Sequence, residues 1–263
     1  MQPLLNTAIQ AARRAGDIAI RALSRLDQLE IRSKARNEYV TQIDQAAEQA
    51  ILDSIRKRYP DHAFLAEESG RSGESEYVWI IDPLDGTTNF IHGFPTFCVS
   101  IALRRKDTLE VGVVYDPCRQ ELYTAIRGRG AQLDGKRIRV SDRKELEGTL
   151  IGTGFPYRSN TRWLKTYLQM LGNVMEQTAG IRRPGSAALD LCYVAAGRLD
   201  GFFEFGLEPW DTAAGTLMIQ EAGGIVSSLT GTGSHLDSGN VLAGNPKVHE
   251  ALRLLLTPHL SQQ

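Results

Sequence analysis

The sequence predicts a layered fold of the α+β or α/β kind, and three observations carry that reading. Apolar residues recur at helical spacing over the first quarter of the chain, strand-like segments then follow one another with short turns, and the second half alternates strand with helix. The 42% hydrophobic and 23% charged composition matches ordinary globular proteins and excludes disordered, collagen-like and coiled-coil chains. A length of 263 residues allows one large domain or two small ones. With no Pro/Gly/Ser-rich linker, repeat or low-complexity tract, residues 1–263 are expected to form one domain, with room for two lobes.

Residues 4–26 place Leu4, Leu5, Ala8, Ala12, Ala15, Ala19 and Leu23 on one helical face. A second helix is expected from Thr41 to Tyr59, with Ile43, Ala46, Ala47, Ala50, Ile51 and Ile55 inward and Pro60 as its stop. Residues 78–81, 98–103, 110–115 and 121–126 read as strands. The pair Asp134-Gly135, between residues 131–133 and 137–140, signals a hairpin. Residues 68–76 read as a charged surface flap. Beyond them, 150–153, 200–205, 224–229 and 240–243 read as strands, and 162–177, 186–196, 212–221 and 246–256 as helices.

Charge and cysteine content narrow the classes. Thirty Lys and Arg against 31 Asp and Glu give a net charge of −1, which argues against a surface that binds polyanions everywhere but leaves room for a local patch. Cys98, Cys118 and Cys192 fit neither a disulfide framework nor a zinc knuckle and are expected as free thiols in a reducing cytoplasm. Arg13, Arg14, Asp17 and Arg21 interrupt the apolar N-terminus, so no signal-peptide core is expected. No stretch approaches the roughly 20 apolar residues of a membrane span. The five histidines lack paired ligand spacing and read as surface residues.

Residues Trp79 to Asn89, WIIDPLDGTTN, are the most informative stretch. An apolar strand ends on Asp82, and Pro83 forbids continued central pairing. Asp82 and Asp85, three residues apart and followed by a glycine, can fold round a common point with the Leu84 carbonyl turned inward. Hard cations such as Mg²⁺ take that kind of oxygen set. An Asx turn would explain the same letters. Gly86, Thr87 and Thr88 open a turn whose amides can face an anion. Two further acids accompany the loop: Glu67, in Glu67-Glu68-Ser69 at the end of another apolar run, and Asp211, in Trp210-Asp211-Thr-Ala-Ala-Gly. As a helix N-cap, Asp211 would be worth about 1 kcal/mol with no further role. Beside the other acids, a shared metal becomes the better reading. Gly185-Ser186-Ala187-Ala188, after Arg183, offers amides and a hydroxyl for substrate hydroxyls or phosphate, or is a plain helix start.

Taken together and in order, these motifs resemble those of the inositol monophosphatase family, over nearly the whole chain. The early segment Val40-Thr41-Gln-Ile-Asp44 belongs to the same pattern. The resemblance implies an α+β fold, a layered αβαβα sandwich shared with fructose-1,6-bisphosphatases, that hydrolyses phosphate monoesters such as myo-inositol 1-phosphate with two or three Mg²⁺. By motif position it implies Glu67, Asp82 and the Leu84 carbonyl at a first metal, and Asp82, Asp85 and Asp211 at a second. A third would lean on Glu67, with Asp44 in its outer shell. Thr87 and Glu67 would orient the attacking water, and the Gly86 and Thr87 amides would meet the phosphate. Arg183, Gly185, Ser186, Ala187 and Glu204 would lie on the substrate side, and Lys34 is the nearest match to a family lysine, one residue short in spacing. Lithium sensitivity and a homodimer are further family traits. The chemistry agrees: two cations can acidify a water, neutralise phosphoryl oxygens and stabilise a poor leaving group.

Two alternatives remain at this level. The metal loop is shared with fructose-1,6-bisphosphate and 3′-phosphoadenosine 5′-phosphate phosphatases, although length and the EES, GSAALD and WDTAAG details favour the inositol branch. Residues 119–144 hold eight basic side chains against three acids, a local charge of +5. Such a run is ordinarily a solvated face. Bacterial members of the family are, however, associated with transcription antitermination through Nus factors and RNA polymerase, so the patch is a candidate partner surface.

Overall fold

The computed structural model describes residues 1–26, 31–35, 38–156, 161–229 and 233–260. Helix α1 (Gln2–Leu23) is followed by a β1–β2 hairpin (Ile31–Ala35, Glu38–Thr41) and helix α2 (Gln42–Arg56). An eight-stranded sheet then forms from β3 (Ala63–Ala66), β4 (Gly70–Ser72), β5 (Tyr77–Asp85), β6 (Cys98–Arg105), β7 (Thr108–Asp116), β8 (Glu121–Ile126), β9 (Gly130–Leu133) and β10 (Lys136–Arg137). Its order is β10-β9-β8-β7-β6-β5-β3-β4, antiparallel throughout except for the parallel β3–β5 pair. The short helix α3 (Thr87–Ile91) lies between β5 and β6.

The second half builds a five-stranded sheet, β12-β11-β13-β15-β14, from β11 (Leu150–Thr153), β12 (Gly180–Arg182), β13 (Gly201–Glu204), β14 (Ile225–Ser228) and β15 (Val241–Gly244). Its helices are α4 (Leu164–Gln177), α5 (Ala187–Ala195), α6 (Pro209–Glu221), α7 (His235–Ser238) and α8 (Pro246–Leu260).

Alternating side chains assign the layers. Along β6, Val99, Ile101 and Leu103 pack against Ala8, Ala12, Ala47 and Ile51 of α1 and α2, while Cys98 and Ala102 face Leu191, Ala214 and Met218 of α5 and α6. The second sheet is split in the same way. Phe202, Val241 and Ala243 meet the α5–α6 layer, and Phe203 and Leu242 meet Tyr167, Met170, Val248 and Leu252 of α4 and α8. The order is therefore helices, sheet, helices, sheet, helices: the expected αβαβα sandwich.

Helix α6, between two sheets, has no solvent face over Thr212–Ile219, which explains its run of small and apolar residues. Gly215 lets α5 approach, since a Cβ there would lie 2.5 Å from Leu191 Cβ. Gly112 of β7 does the same for α6, with Ala214 O at 3.1 Å from the position of a Cβ.

Several expectations need correction. Residues 68–76 are not only a flap, because β4 pairs with β3 there. On α2, Ala46 is exposed while Asp44 and Glu48 are buried. Helix α6 begins at Pro209, not Thr212. Of the histidines only His92 is exposed. His62 stacks between Tyr59 and Tyr77 and accepts a hydrogen bond from Trp79, and His249 is buried against Ser227. All three cysteines are free. Among the described residues, no helix is long and apolar enough to cross a membrane.

A larger side chain at Gly215 must push two buried helices apart. Gly215→Val is expected to lower stability by about 1–3 kcal/mol, read as a lower urea midpoint; an unchanged midpoint would contradict the packing described.

Candidate active site

The site forms where β3 and β5 end beside the first turn of α6. Strand β5 pairs regularly with β6 up to Asp82, opposite Ser100, and resumes with Asp85 opposite Cys98. Pro83 lies in the irregularity between them, and the Leu84 amide turns back to donate to Asp82 Oδ1 at 2.9 Å. The Asx turn and the carboxylate cluster are therefore the same feature. Gly86 follows in the left-handed region at φ 100°, where a Cβ would come within 2.9 Å of Thr96 O, so glycine answers both strain and space.

Asp211 is not an N-cap. It occupies the third helical position of α6, and its Oδ2 accepts the Glu208 amide at 2.7 Å. Ser100 of β6 donates to the carbonyl of neighbouring Trp210 at 3.2 Å, which fixes that turn to the large sheet. Carboxylate atoms of Asp82, Asp85 and Asp211 consequently lie within 4.8 Å of one another. Glu67 stands outside that set but close in electrostatic terms. Burial raises the Asp82 carboxyl well above the ordinary range, and the charges of Glu67, Asp85 and Asp211 add to the effect in that order.

The surrounding groups hold these acids in place. Asp85 Oδ2 accepts the Ser186 hydroxyl at 2.6 Å and the Ala188 amide at 2.8 Å. Two donors that the sequence offered to a substrate thus serve a carboxylate instead. Thr87 Oγ1 lies 2.9 Å from Asp44 Oδ1 and 3.1 Å from the Leu84 carbonyl. Asp44 is buried, and its Oδ2 takes both the Thr41 amide and hydroxyl. Burial raises its pKa, against the pull of the Thr41 and Thr87 hydrogen bonds.

On the opposite side, Gly185 has φ +94°, and a Cβ there would meet Arg183 Nη1 at 2.8 Å. The Arg183 guanidinium lies over the Phe155 ring at 4.9 Å. The Glu204 carboxylate packs on Gly154, filling the space a Cβ would need. Ala187 begins α5. The side chain of Lys34 lies outside the described residues.

Two neighbours escaped the sequence reading. Asn89 Nδ2 donates to Thr96 O at 2.7 Å and Pro184 O at 2.8 Å, tying the segment after the Asp82–Asp85 loop to the turn that carries Gly185. Asp190 is buried in α5, one of its oxygens lacks a hydrogen-bond partner, and Glu204, Asp85 and Arg183 are its charged neighbours. The letters GSAALD contained it, but only the packing of α5 against β11 shows which face it takes.

The donor set fits a hard divalent cation: every ligand offered is oxygen, and the charges acting most strongly on Asp82 are all negative.

A five-layer αβαβα sandwich with this acidic cluster defines a phosphatase scaffold, and the family model of the inositol monophosphatases matches residues 1–261. The chain belongs to the inositol monophosphatase family. Among its relatives, the Nus factor SuhB of Pseudomonas aeruginosa is 56% identical, the alignment covering 99% of this chain and 98% of that one. The solved structure of the extragenic suppressor protein suhB from Bartonella henselae superposes with a TM-score of 0.94 at 44% identity, covering 97% of this chain and 98% of that one. An inositol monophosphatase from Anabaena gives a TM-score of 0.84 at 39% identity, covering 98% and 96%.

Crowded carboxylates should be relieved by a cation. Mg²⁺ is expected to raise the thermal midpoint of the wild type and to leave that of Asp82→Asn unmoved. In the absence of metal the variant should be at least as stable as the wild type. Equal Mg²⁺ stabilisation of both proteins by differential scanning fluorimetry would contradict the site.

Proposed function

We propose that the chain is a Mg²⁺-dependent phosphoric monoester hydrolase acting on myo-inositol 1-phosphate and related polyol monophosphates. The convergence of Asp82, Asp85 and Asp211 within 4.8 Å carries the reading. Glu67, Asp82 and the Leu84 carbonyl would hold one Mg²⁺, and Asp82, Asp85 and Asp211 another. A third would be held near Glu67, with Asp44 in its outer shell. Bound Mg²⁺ supplies Lewis acidity, acidifying the attacking water and offsetting phosphoryl and leaving-group charge.

The residues then have distinct tasks. Thr87 gives its single hydroxyl proton to Asp44 or the Leu84 carbonyl. Its lone pairs therefore remain to accept from the attacking water, which Glu67 would help to orient. The Gly86 and Thr87 amides would receive phosphoryl oxygens. Ser186, whose proton goes to Asp85, presents lone pairs to a substrate hydroxyl beside Gly185 and Ala187. Glu204 accepts from another hydroxyl, and Arg183 adds positive charge at the substrate side. Asp82→Asn should reduce phosphate release from myo-inositol 1-phosphate by about 10³-fold or more, the scale on which a key electrostatic group acts. Glu68→Gln, one residue from the Glu67 ligand, should lose less than about fivefold, or roughly 1 kcal/mol in barrier. Near-normal turnover in Asp82→Asn would overturn the assignment.

A second role rests on a separate observation. Lys136, Arg137, Arg139, Arg143 and Lys144 are exposed along and just beyond the β10 edge of the large sheet, and Arg127 and Arg129 are exposed on the β8–β9 turn. Among the described residues none of them forms an ion pair. Since a relative is named a Nus factor, we assign this edge to contact with a Nus factor or RNA polymerase, the chain acting as a homodimer. Charge reversal at Arg137 and Arg139 should weaken capture of Nus factors in a salt-dependent way and leave phosphatase activity unchanged. Undiminished capture removes the edge from the interface.

A further inference from the structure

We infer that Glu48 is a positioning residue for this reaction: its carboxylate fixes the turn that carries Glu67 and so sets the geometry of the metal cluster. The inference rests on the phosphatase reading above. The Glu67 amide donates to Ile81 O at 3.1 Å, which extends the parallel β3–β5 pairing by one residue. The chain must then reverse at once, because Gly70 already pairs with Ala66. Glu67, Glu68 and Ser69 are the whole of that turn.

Glu48 reaches the turn from α2. Its Oε2 accepts the Glu68 amide at 2.8 Å and its Oε1 accepts the Ser69 amide at 2.9 Å. The side chain is almost completely buried, at 3% exposure. Burying a carboxylate is costly unless both oxygens are satisfied, and here two consecutive main-chain amides do that. An ordinary surface turn would leave such amides to water. The amides so fixed belong to the two residues that follow Glu67, so the grip acts on the backbone from which the Glu67 side chain departs.

Asp44 gives the arrangement its second half. It lies one turn before Glu48 on the same face of α2, and four residues of helix rise about 6 Å. Through Thr87 Oγ1 it holds the loop that continues from Asp82 and Asp85. One rigid helix therefore grips both strand ends that carry the acids: the β3 end through Glu48 and the β5 end through Asp44. The helix thus adds to the β3–β5 pairing in fixing their relative position against the mutual repulsion of the carboxylates.

The test is a double-mutant cycle on the full chain, read by Mn²⁺ binding in isothermal titration and by the Mg²⁺ dependence of phosphate release. Glu48→Gln keeps the shape and replaces one acceptor by a donor. It should weaken Mn²⁺ binding by about 10–100-fold, the usual range for a group that orients a ligand. The Mg²⁺ needed for half-maximal activity should rise in parallel, and KM for myo-inositol 1-phosphate at saturating Mg²⁺ should stay within about twofold, a change below 1 kcal/mol. In a Glu67→Gln background the same change should add almost nothing, because the two residues act through one ligand. Glu48→Asp, which keeps the charge but shortens the reach, should show the same loss and serves if Glu48→Gln does not fold. Unchanged Mn²⁺ affinity in these variants, or full additivity with Glu67→Gln, overturns the inference and leaves the phosphatase reading standing. A wild-type chain that binds no Mn²⁺ defeats both.

Discussion

Mutual repulsion among carboxylates is the constraint on which this structure turns. Asp82 is buried with three other acids as its strongest charged neighbours. In a medium less polar than water, such charges do not assemble of their own accord. They are brought together by elements whose stability comes from elsewhere: the parallel β3–β5 pair, the regular β5–β6 ladder, and a helix clamped between two sheets. The fold spends stability from its core on an arrangement that a bound cation would relieve.

The middle helical layer delivers the last member of the cluster. Helix α6 approaches the large sheet closely enough for Asp211 to face Asp82 because Gly112 leaves room beneath it and Gly215 leaves room beside it. Ser100 then fixes the first turn through Trp210. Glycines in a strand and in a helix interior weaken those elements locally. Here they permit close packing of layers, and that packing sets the distance from one acid to the others. Asn89 performs a comparable service on the other side, joining the segment after the Asp82–Asp85 loop to Thr96 and, through the Pro184 carbonyl, to the turn of Gly185.

Much of this was legible in the letters. The break in β5–β6 pairing after Asp82 declared itself through proline chemistry, although the strand does not end there as expected but pairs again at Asp85. Strands 121–126 and 150–153 lie where periodicity put them. The hairpin at Asp134-Gly135 has both residues at positive φ, as that dipeptide demands. Other features were hidden for physical reasons. The start of α6 was misplaced because Pro209 opens the helix at a residue that reads as a breaker, which moves Asp211 from the cap into the first turn. Strands of three residues, such as β4 and β12, are too short to show a period. The burial of Asp44, Glu48 and Asp190 depends on partners distant in sequence: Thr87, the Glu68 and Ser69 amides, and β11. Ser186 looked like a substrate donor because nothing in its own segment announces that Asp85 will claim its proton.

The most direct test of the central claim is anomalous diffraction from crystals of this protein soaked in Mn²⁺. The account predicts anomalous peaks among the carboxylates: one bordered by Asp82, Asp85 and Asp211, and another between Asp82, Glu67 and the Leu84 carbonyl. Peaks only elsewhere on the surface, with Asp82 undisturbed, would contradict it.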